Sequence, residues 1–238
     1  MRSRRQFIRL TFSLMAGVAA SGTQRMQAQA PNQIWLPLVQ SPPGDAPILG
    51  PASGTIEQAI DWLAARSAAE YPRSDVAIIV ETYQQIGDSV DIDWFLAIAQ
   101  MAHETGSLTS WWSGRPRRNP AGIGVTGRTQ DGSPDTPPAG AWAWDDSMLR
   151  WREGVSFPTW TDHSVPAHLG RLLAYVLRDD QANQSQRELI ATALRYRPLP
   201  DSYRGVARVI TDLNGRWAVP GTDYGQRIMD LARRMRGE

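Results

Sequence analysis

The feature that most constrains this chain is a break in its helical periodicity. From Thr55 to about Thr105, and again after Asp162, apolar residues recur at intervals of three and four, the spacing of an amphipathic helix. Between Trp111 and Asp162 the periodicity is lost, and the sequence is rich in Gly, Pro, Asp and Trp. We therefore expect a mainly α, α+β domain of about seven helices. An irregular or short β-hairpin lobe follows the third helix, with a hairpin near Gly122–Thr126.

Local sequence patterns indicate where the helices begin and end. Thr55 and Gln58 form a capping-box pattern at the start of the first helix. The second helix is predicted over Asp75–Ile86. The third runs from about Asp91 to Thr105, and Gly106 is its C-terminal stop. Four further apolar faces predict the helices after the lobe: Leu169–Val176, Leu189–Leu194, Val206–Leu213 and Tyr224–Met235.

The first 54 residues are expected to precede the domain. Residues 1–30 combine early Arg residues, a short apolar run and an A-x-A-like end, the pattern of a bacterial export signal peptide. The string at residues 3–8 resembles the twin-arginine type. Residues 31–54 contain six Pro and predict a semi-rigid linker, so the domain is expected over residues 55–238. An exported chain would act outside the cell, in the cell wall or in the periplasm.

Composition argues against several classes of function. The chain has no Cys, which excludes a disulfide framework, a thiolate metal site and a cysteine nucleophile. Removal of residues 1–30, with their five Arg, leaves 20 basic against 24 acidic residues and a net charge of −4. That balance does not give the positive field of a nucleic-acid-binding protein. No segment of the mature chain is long and apolar enough to span a membrane.

Neither a metal nor a cofactor is expected. The three His residues are His103, His163 and His168, and the last two are five positions apart, which does not stack them on one helix face. The pattern Gly122-x-Gly124-x-x-Gly127 lacks the strand and helix that a dinucleotide-binding motif needs. We expect a monomer.

Glu104 is the carboxylate to which the sequence assigns a catalytic role. It falls in the last turn of the apolar third helix, where the helix dipole disfavours an ionised carboxylate. Partial burial beside Trp111 and Trp112 would disfavour the ionised form further. Both effects favour the protonated state that a general acid needs. The alternative is a solvated Glu near a fraying helix end.

The Trp residues of the lobe suggest a ligand class. Six of the ten Trp residues lie between Trp111 and Trp160. Trp offers a large rigid apolar face and an N–H donor, which suit the apolar C–H face and the hydroxyl groups of a pyranose ring. We expect a sugar-binding groove beside Glu104, with contacts from Trp111, Trp112 and Trp144. The alternative is that these side chains anchor an irregular lobe to the core.

Four segments carry a family resemblance. They are, in chain order, Ala99–Gly106, Asn119–Gly124, Phe157–His168 and Asn214–Ile228. The first ends in Glu-Thr-Gly, and the second contains Asn-Pro-Ala-Gly-Ile. The third is an aromatic–Ser–His segment entering a helix, and the fourth is similar to a Tyr-Ala-x-x-x-x-Tyr motif. Together they resemble the glucosaminidase family, glycoside hydrolase family 73, over about residues 75–238.

The resemblance implies a lysozyme-like α+β fold and a secreted hydrolase whose partner is the peptidoglycan glycan strand. Such an enzyme cleaves the β-1,4 bond between N-acetylglucosamine and N-acetylmuramic acid. The resemblance assigns the general acid to Glu104 and a catalytic role to Tyr224. It assigns substrate-binding roles to Asn119, Gly122, Ile123 and Trp217, the last at a position where Tyr is usual.

The resemblance also implies a second carboxylate in the lobe. The candidates there are Asp131, Asp135, Asp145, Asp146 and Glu153. A distant base would give inversion through a water, a close one would give retention, and the acetamido group of the substrate could assist instead. Two other functions stay open at this point. One is a non-catalytic module that binds cell-wall glycan, and the other is an endo-N-acetylglucosaminidase acting on chitin or N-glycans.

Overall fold

Residues 45–238 are the part of the chain that the computed structural model describes. The predicted export peptide, and the predicted linker up to residue 44, lie outside the described residues. The described part contains six α-helices: α1 (Ile56–Ala64), α2 (Arg73–Ser89), α3 (Trp94–Thr105), α4 (Val165–Val176), α5 (Gln184–Tyr196) and α6 (Tyr224–Arg236). Three short strands lie between α3 and α4: β1 (Thr129–Asp131), β2 (Trp142–Asp145) and β3 (Arg150–Glu153).

The mainly helical α+β prediction is confirmed, but the expected count of seven helices is wrong. The helix predicted over Val206–Leu213 does not form, and only Ile210–Leu213 makes a 3₁₀ turn. The preceding residues are tied to other segments, because the Val206 N–H donates to the Tyr175 carbonyl at 2.8 Å. Val209 forms a β-bridge with Pro47. The apolar spacing marks a short buried segment. Over so few residues, periodicity alone does not distinguish a helix from another buried conformation.

Two helix boundaries differ from those predicted. α2 runs from Arg73 to Ser89, so that Gly87 lies inside it and not at its end. A methyl group at Gly87 would lie 2.6 Å from the Trp94 Cβ, so glycine allows α2 to approach the start of α3. α3 begins at Trp94, because the Asp93 side chain caps it by accepting from the Leu96 N–H at 3.0 Å. It ends at Gly106, as predicted.

The lobe after α3 contains a three-stranded antiparallel sheet in the order β1-β3-β2. Trp151 on β3 faces Gln130 on β1 and Trp144 on β2. A β-hairpin lobe was expected at this point of the chain, but its placement at Gly122–Thr126 is wrong. Gly122 and Gly124 have φ values of 62° and 72°, which form a turn instead of a strand.

α3 lies at the centre of the helical part and packs against α1, α2 and α6. Ten of its residues are buried, which explains why the segment is apolar on almost every side. α4 and α5 pack closely along each other. Gly170 permits that approach, because a methyl group there would lie 2.2 Å from the Leu189 carbonyl oxygen of α5.

Residues 45–54 pack against the helices, although the sequence places them in the linker. Ile48 is only 2% exposed, and its N–H donates to the Arg208 carbonyl at 3.0 Å. Leu49 forms a β-bridge with Ile92. The folded domain therefore extends at least to Asp45. None of the helices in residues 45–238 has the combination of length and apolar character needed to cross a membrane.

Candidate active site

Glu104 and Tyr224 meet where α3 ends and α6 begins. Glu104 lies in the last turn of α3, and Tyr224 is the first residue of α6. The Tyr224 hydroxyl donates a hydrogen bond to Glu104 Oε1 at 2.5 Å. The two residues are 120 positions apart in the chain, so the contact depends on the packing of α6 against α3. These are the two residues that the resemblance implies as catalytic.

The Glu104 carboxyl has a raised pKa. Burial is the largest cause, because it removes water that stabilises the ionised carboxylate more than the neutral acid. The Tyr224 hydroxyl and the Trp217 side chain act in the opposite direction, because hydrogen bonds stabilise the ionised form. The net direction agrees with the expectation from sequence. The side chains that act on Glu104, however, are Tyr224 and Trp217 and not the expected Trp111 and Trp112.

A chain of buried hydrogen bonds holds Tyr224 in place. Gln100 Nε2 donates to the Tyr224 hydroxyl oxygen at 2.8 Å. Gln100 Oε1 lies 3.0 Å from His168 Nε2, and His168 Nδ1 lies 2.7 Å from the Tyr83 hydroxyl. With Gln100 in this orientation, His168 carries its proton on Nε2 and accepts from Tyr83 at Nδ1. Each hydrogen bond from Tyr83 through His168, Gln100 and Tyr224 to Glu104 therefore has one donor and one acceptor.

Both ionisable groups in the middle of this chain stay neutral. Burial, followed by the nearby Arg171 charge, lowers the pKa of His168 to about 3. Burial raises the pKa of Tyr224 well above its usual value, and the Glu104 charge acts in the same direction. Both shifts favour the neutral form, so Tyr224 is held as a hydroxyl donor to the Glu104 carboxyl.

Gly122 is the residue of the predicted Asn-Pro-Ala-Gly-Ile turn that faces Glu104. A methyl group at Gly122 would lie 3.9 Å from Glu104 Oε2. Oε1 accepts from Tyr224, so Oε2 is the carboxyl oxygen that faces the turn. A proton on Oε2 would point toward space bordered by the turn. The predicted contact between Gly122 and a sugar stays a prediction.

Asn119 and Ile123 shape this turn from inside. The Asn119 amide donates to the Ile123 and Val155 carbonyls, both at 2.9 Å. Its side-chain oxygen accepts from the Ala121 and Ile123 N–H groups. All hydrogen-bonding positions of this fully buried side chain are therefore used within the protein. Ile123 is 3% exposed and packs beside Phe157. If Asn119 and Ile123 contribute to substrate binding as predicted, they would do so by holding the turn in its shape.

The Trp residues predicted to bind sugar separate into two groups. Trp217 lies beside the Glu104 carboxyl and lowers its pKa. Its ring packs edge-on against that of His168, with ring centroids 5.8 Å apart. Trp111 instead carries two guanidinium groups on its ring, those of Arg117 at 3.8 Å and Arg152 at 4.3 Å. These cations occupy aromatic surface that a sugar would need.

The other two lobe Trp residues are also engaged within the lobe. The Trp112 ring packs on Gly154, where a methyl group would lie 2.4 Å from it. Trp144 packs edge-on against Trp151 at 5.4 Å, and its indole N–H donates to Asp146 at 3.0 Å. The structure thus gives Trp112 and Trp144 a packing role in the lobe. Their predicted contact with sugar stays a prediction.

Glu104 has no second carboxylate close to it within the part of the chain described. Asp145 is 2% exposed and bonded to Ser147 and Arg152, and these bonds lower its pKa. Glu153 pairs with Arg128 instead. Among residues 45–238, no carboxylate is a cause of the raised pKa of Glu104, although a nearby negative charge would raise that pKa. None of the lobe candidates is thus coupled to Glu104 as the two carboxyls of a retaining glycosidase are.

Sequence reasoning missed Gln100 and the role of His168. Gln100 lies one turn before Glu104 on α3, and that i, i+4 spacing was the available clue. His168 was considered from sequence as a metal ligand and as the end of the third motif, whereas in the structure it lies in the hydrogen-bond chain. Among residues 45–238 the structure contains no group of three His, Asp or Glu side chains placed to hold a metal ion.

Comparison with known proteins gave no match to a protein-family model, to a curated protein or to a solved structure. The described fold and site define an α+β domain with a partly buried carboxyl group at the junction of two helices and an irregular lobe. Interpretation of its activity therefore depends on the site geometry and on the four motifs.

Proposed function

We propose that this chain is a secreted peptidoglycan hydrolase with Glu104 as its general acid. It would cleave the β-1,4 bond between N-acetylglucosamine and N-acetylmuramic acid. The observation that carries the proposal is the Glu104 carboxyl itself, which has a raised pKa and is held by Tyr224 at 2.5 Å. The order of the four motifs that resemble the glucosaminidase family supports the same substrate.

The geometry suits proton donation to a leaving sugar oxygen. Glu104 binds Tyr224 through Oε1, so its proton would sit on Oε2, the oxygen that faces Gly122. As the proton moves to the glycosidic oxygen, a carboxylate forms. The Tyr224 hydrogen bond stabilises that carboxylate more than the neutral acid, and so favours the transition state. Because Glu104 has no close carboxylate partner, water would attack with help from a distant base or from the acetamido group of the substrate.

Replacement of Glu104 by Gln tests the proposal. Glu104→Gln removes the transferable proton and keeps the size of the side chain, so we expect hydrolysis of purified cell walls to fall about 10²- to 10⁴-fold. Glu81→Gln is the matched control, because Glu81 is an exposed residue of α2. It should keep the wild-type rate. Equal clearing by wild type and Glu104→Gln, or no clearing by either, would contradict the proposal.

A non-catalytic glycan-binding module is the second candidate. The lack of a carboxylate near Glu104 favours it, since most glycosidases use two. The two functions differ in their products. A hydrolase releases new reducing ends from glycan strands, whereas a binding module retains the strands intact. A reducing-end assay on the supernatant of the same digests distinguishes them.

A further inference from the structure

A second feature of the site is a cavity of about 190 Å³ beside Glu104. Its walls are the turn at Ala121–Val125, the Trp217 ring and two arginines, Arg171 of α4 and Arg197 at the end of α5. Gly122 and Trp217 border both the cavity and the Glu104 carboxyl. The cavity therefore lies next to the proposed catalytic group, although Glu104 itself is not one of its walls. It is smaller than the roughly 300–1,000 Å³ of a pocket for a whole ligand, so it suits a substituent and not a sugar ring.

The two arginines have no anionic partner. No salt bridge in residues 45–238 includes Arg171 or Arg197 at the 4.0 Å limit. Every Asp and Glu of the chain lies at or after Asp45, so the side chains before that position supply no anion either. Instead Arg171 donates to the Arg197 carbonyl at 2.9 Å. Arg171 is partly buried, and a cation in that position without an anion is unfavourable in the unliganded protein, whereas Arg197 is exposed at the rim of the cavity.

Two aromatic side chains position Arg171 at the cavity. The Arg171 guanidinium lies 5.8 Å from the Trp217 ring centroid and 5.9 Å from that of Tyr175. These aromatic side chains hold it at the cavity, and Tyr175 offsets part of its charge, but neither supplies an anion. Burial and the like charge of Arg197 both lower the pKa of Arg171. An anion in the cavity would relieve both effects.

We propose that Arg171 and Arg197 form a subsite for a carboxylate on the glycan substrate, adjacent to the cleaved bond. This inference rests on the proposed function. Guanidinium groups bind carboxylates through paired, charge-assisted hydrogen bonds, and two of them around a small cavity match one such group. In a peptidoglycan strand the carboxylate comes from the lactyl ether of muramic acid where the peptide is absent, or from the stem peptide where it is present. The subsite thus selects acidic strands over neutral N-acetylglucosamine polymers.

The test compares three preparations of the same strands. The first has its stem peptides removed by an amidase, the second keeps them, and in the third the carboxylates are converted to neutral amides. Arg171→Gln and Arg197→Gln should each lower kcat/KM about 10- to 100-fold on an acidic preparation, through a higher KM. They should leave the amidated strands unaffected. The acidic preparation that shows the loss identifies the source of the carboxylate.

Arg195→Gln is the matched control for Arg197→Gln, because Arg195 is an exposed residue on the same helix. It should not change kcat/KM on any strand. Equal losses on acidic and amidated strands would assign the two arginines a purely structural role and overturn the inference. Unchanged rates on all three preparations would overturn it as well.

A binding measurement separates this inference from the proposed hydrolase function. Calorimetry of the full chain should show that N-acetylmuramic acid binds more tightly than N-acetylglucosamine, and that Arg197→Gln abolishes the difference. If that preference is present while wild type releases no reducing ends, the subsite holds and the hydrolase proposal fails. If strands are cut, the preference is absent and the arginine variants lose no activity on the peptide-bearing strands, the hydrolase stands and the subsite is overturned.

Discussion

At the scale of single residues, the pKa of Glu104 is set by burial and by two neighbouring side chains. Burial at the end of α3 disfavours its charge, whereas Tyr224 and Trp217 stabilise it. The helix end and the apolar surroundings were visible in the sequence, so a raised pKa was predictable. The contact of Tyr224 with this carboxyl was not predictable from local sequence, because Tyr224 lies 120 positions away.

Removal of the Tyr224 hydroxyl should shift the pH dependence of hydrolysis. That hydroxyl lowers the pKa of Glu104 by stabilising its carboxylate. Tyr224→Phe should therefore raise the pKa further and keep Glu104 protonated to higher pH. The alkaline limb of the kcat profile should move to higher pH, while the maximal rate falls about tenfold or more because the carboxylate formed is less stable.

A pH–rate profile of both proteins checks this expectation. Tyr203→Phe serves as the control, since Tyr203 lies in a separate 3₁₀ turn and should leave the limb in place. A limb that moves to lower pH in Tyr224→Phe would mean that the hydroxyl does not stabilise the ionised acid.

At the scale of elements, the helices followed local rules and the lobe did not. Thr55 caps α1 by the predicted box, and Gly106 ends α3 at φ 58° as expected. These caps depend on hydrogen bonds between residues only three or four positions apart in the chain. The strands β1 to β3 are three or four residues long and pair across intervening loops, so their register depends on contacts that no local pattern encodes.

The crossing of α4 and α5 depends on one glycine. Gly170→Ala would place a methyl group 2.2 Å from the Leu189 carbonyl oxygen, a backbone atom that cannot rotate away. We expect a loss of about 1–3 kcal/mol in the free energy of unfolding. Urea denaturation measures it. The usual effect of Gly→Ala inside a helix is a gain of about 1 kcal/mol, so a gain here would contradict the close crossing.

At the scale of the whole molecule, the domain includes more of the chain than its composition indicates. The Pro-rich stretch predicted as linker includes Ile48, which is 2% exposed. Its neighbours Pro47 and Leu49 form bridges to Val209 and Ile92, residues from two distant parts of the domain. Proline content predicts an extended chain, and an extended chain is also able to pack against the helices through isolated β-bridges.

Ile48 should therefore contribute to global stability. Ile48→Ala removes a buried side chain and should lower the free energy of unfolding by about 2–5 kcal/mol. Ile78→Ala is the matched control, because Ile78 on α2 is 51% exposed and should change stability by less than about 0.5 kcal/mol. Thermal or urea unfolding compares the two. Equal effects would mean that residues 45–54 do not share in the cooperative fold.

Local sequence patterns were enough to predict all six α-helices, the caps of α1 and α3, the lobe, and the place of Glu104 at the end of α3. All of these follow from patterns within one or two helical turns. The tertiary structure alone decided that Tyr224, Trp217 and Gly122 surround that carboxyl. Tertiary packing also placed Arg171 and Arg197 at one cavity and packed Trp144 against Trp151 within the lobe. The physical reason is range: capping and amphipathic spacing are local, whereas a site is assembled by helix packing that joins residues more than a hundred positions apart.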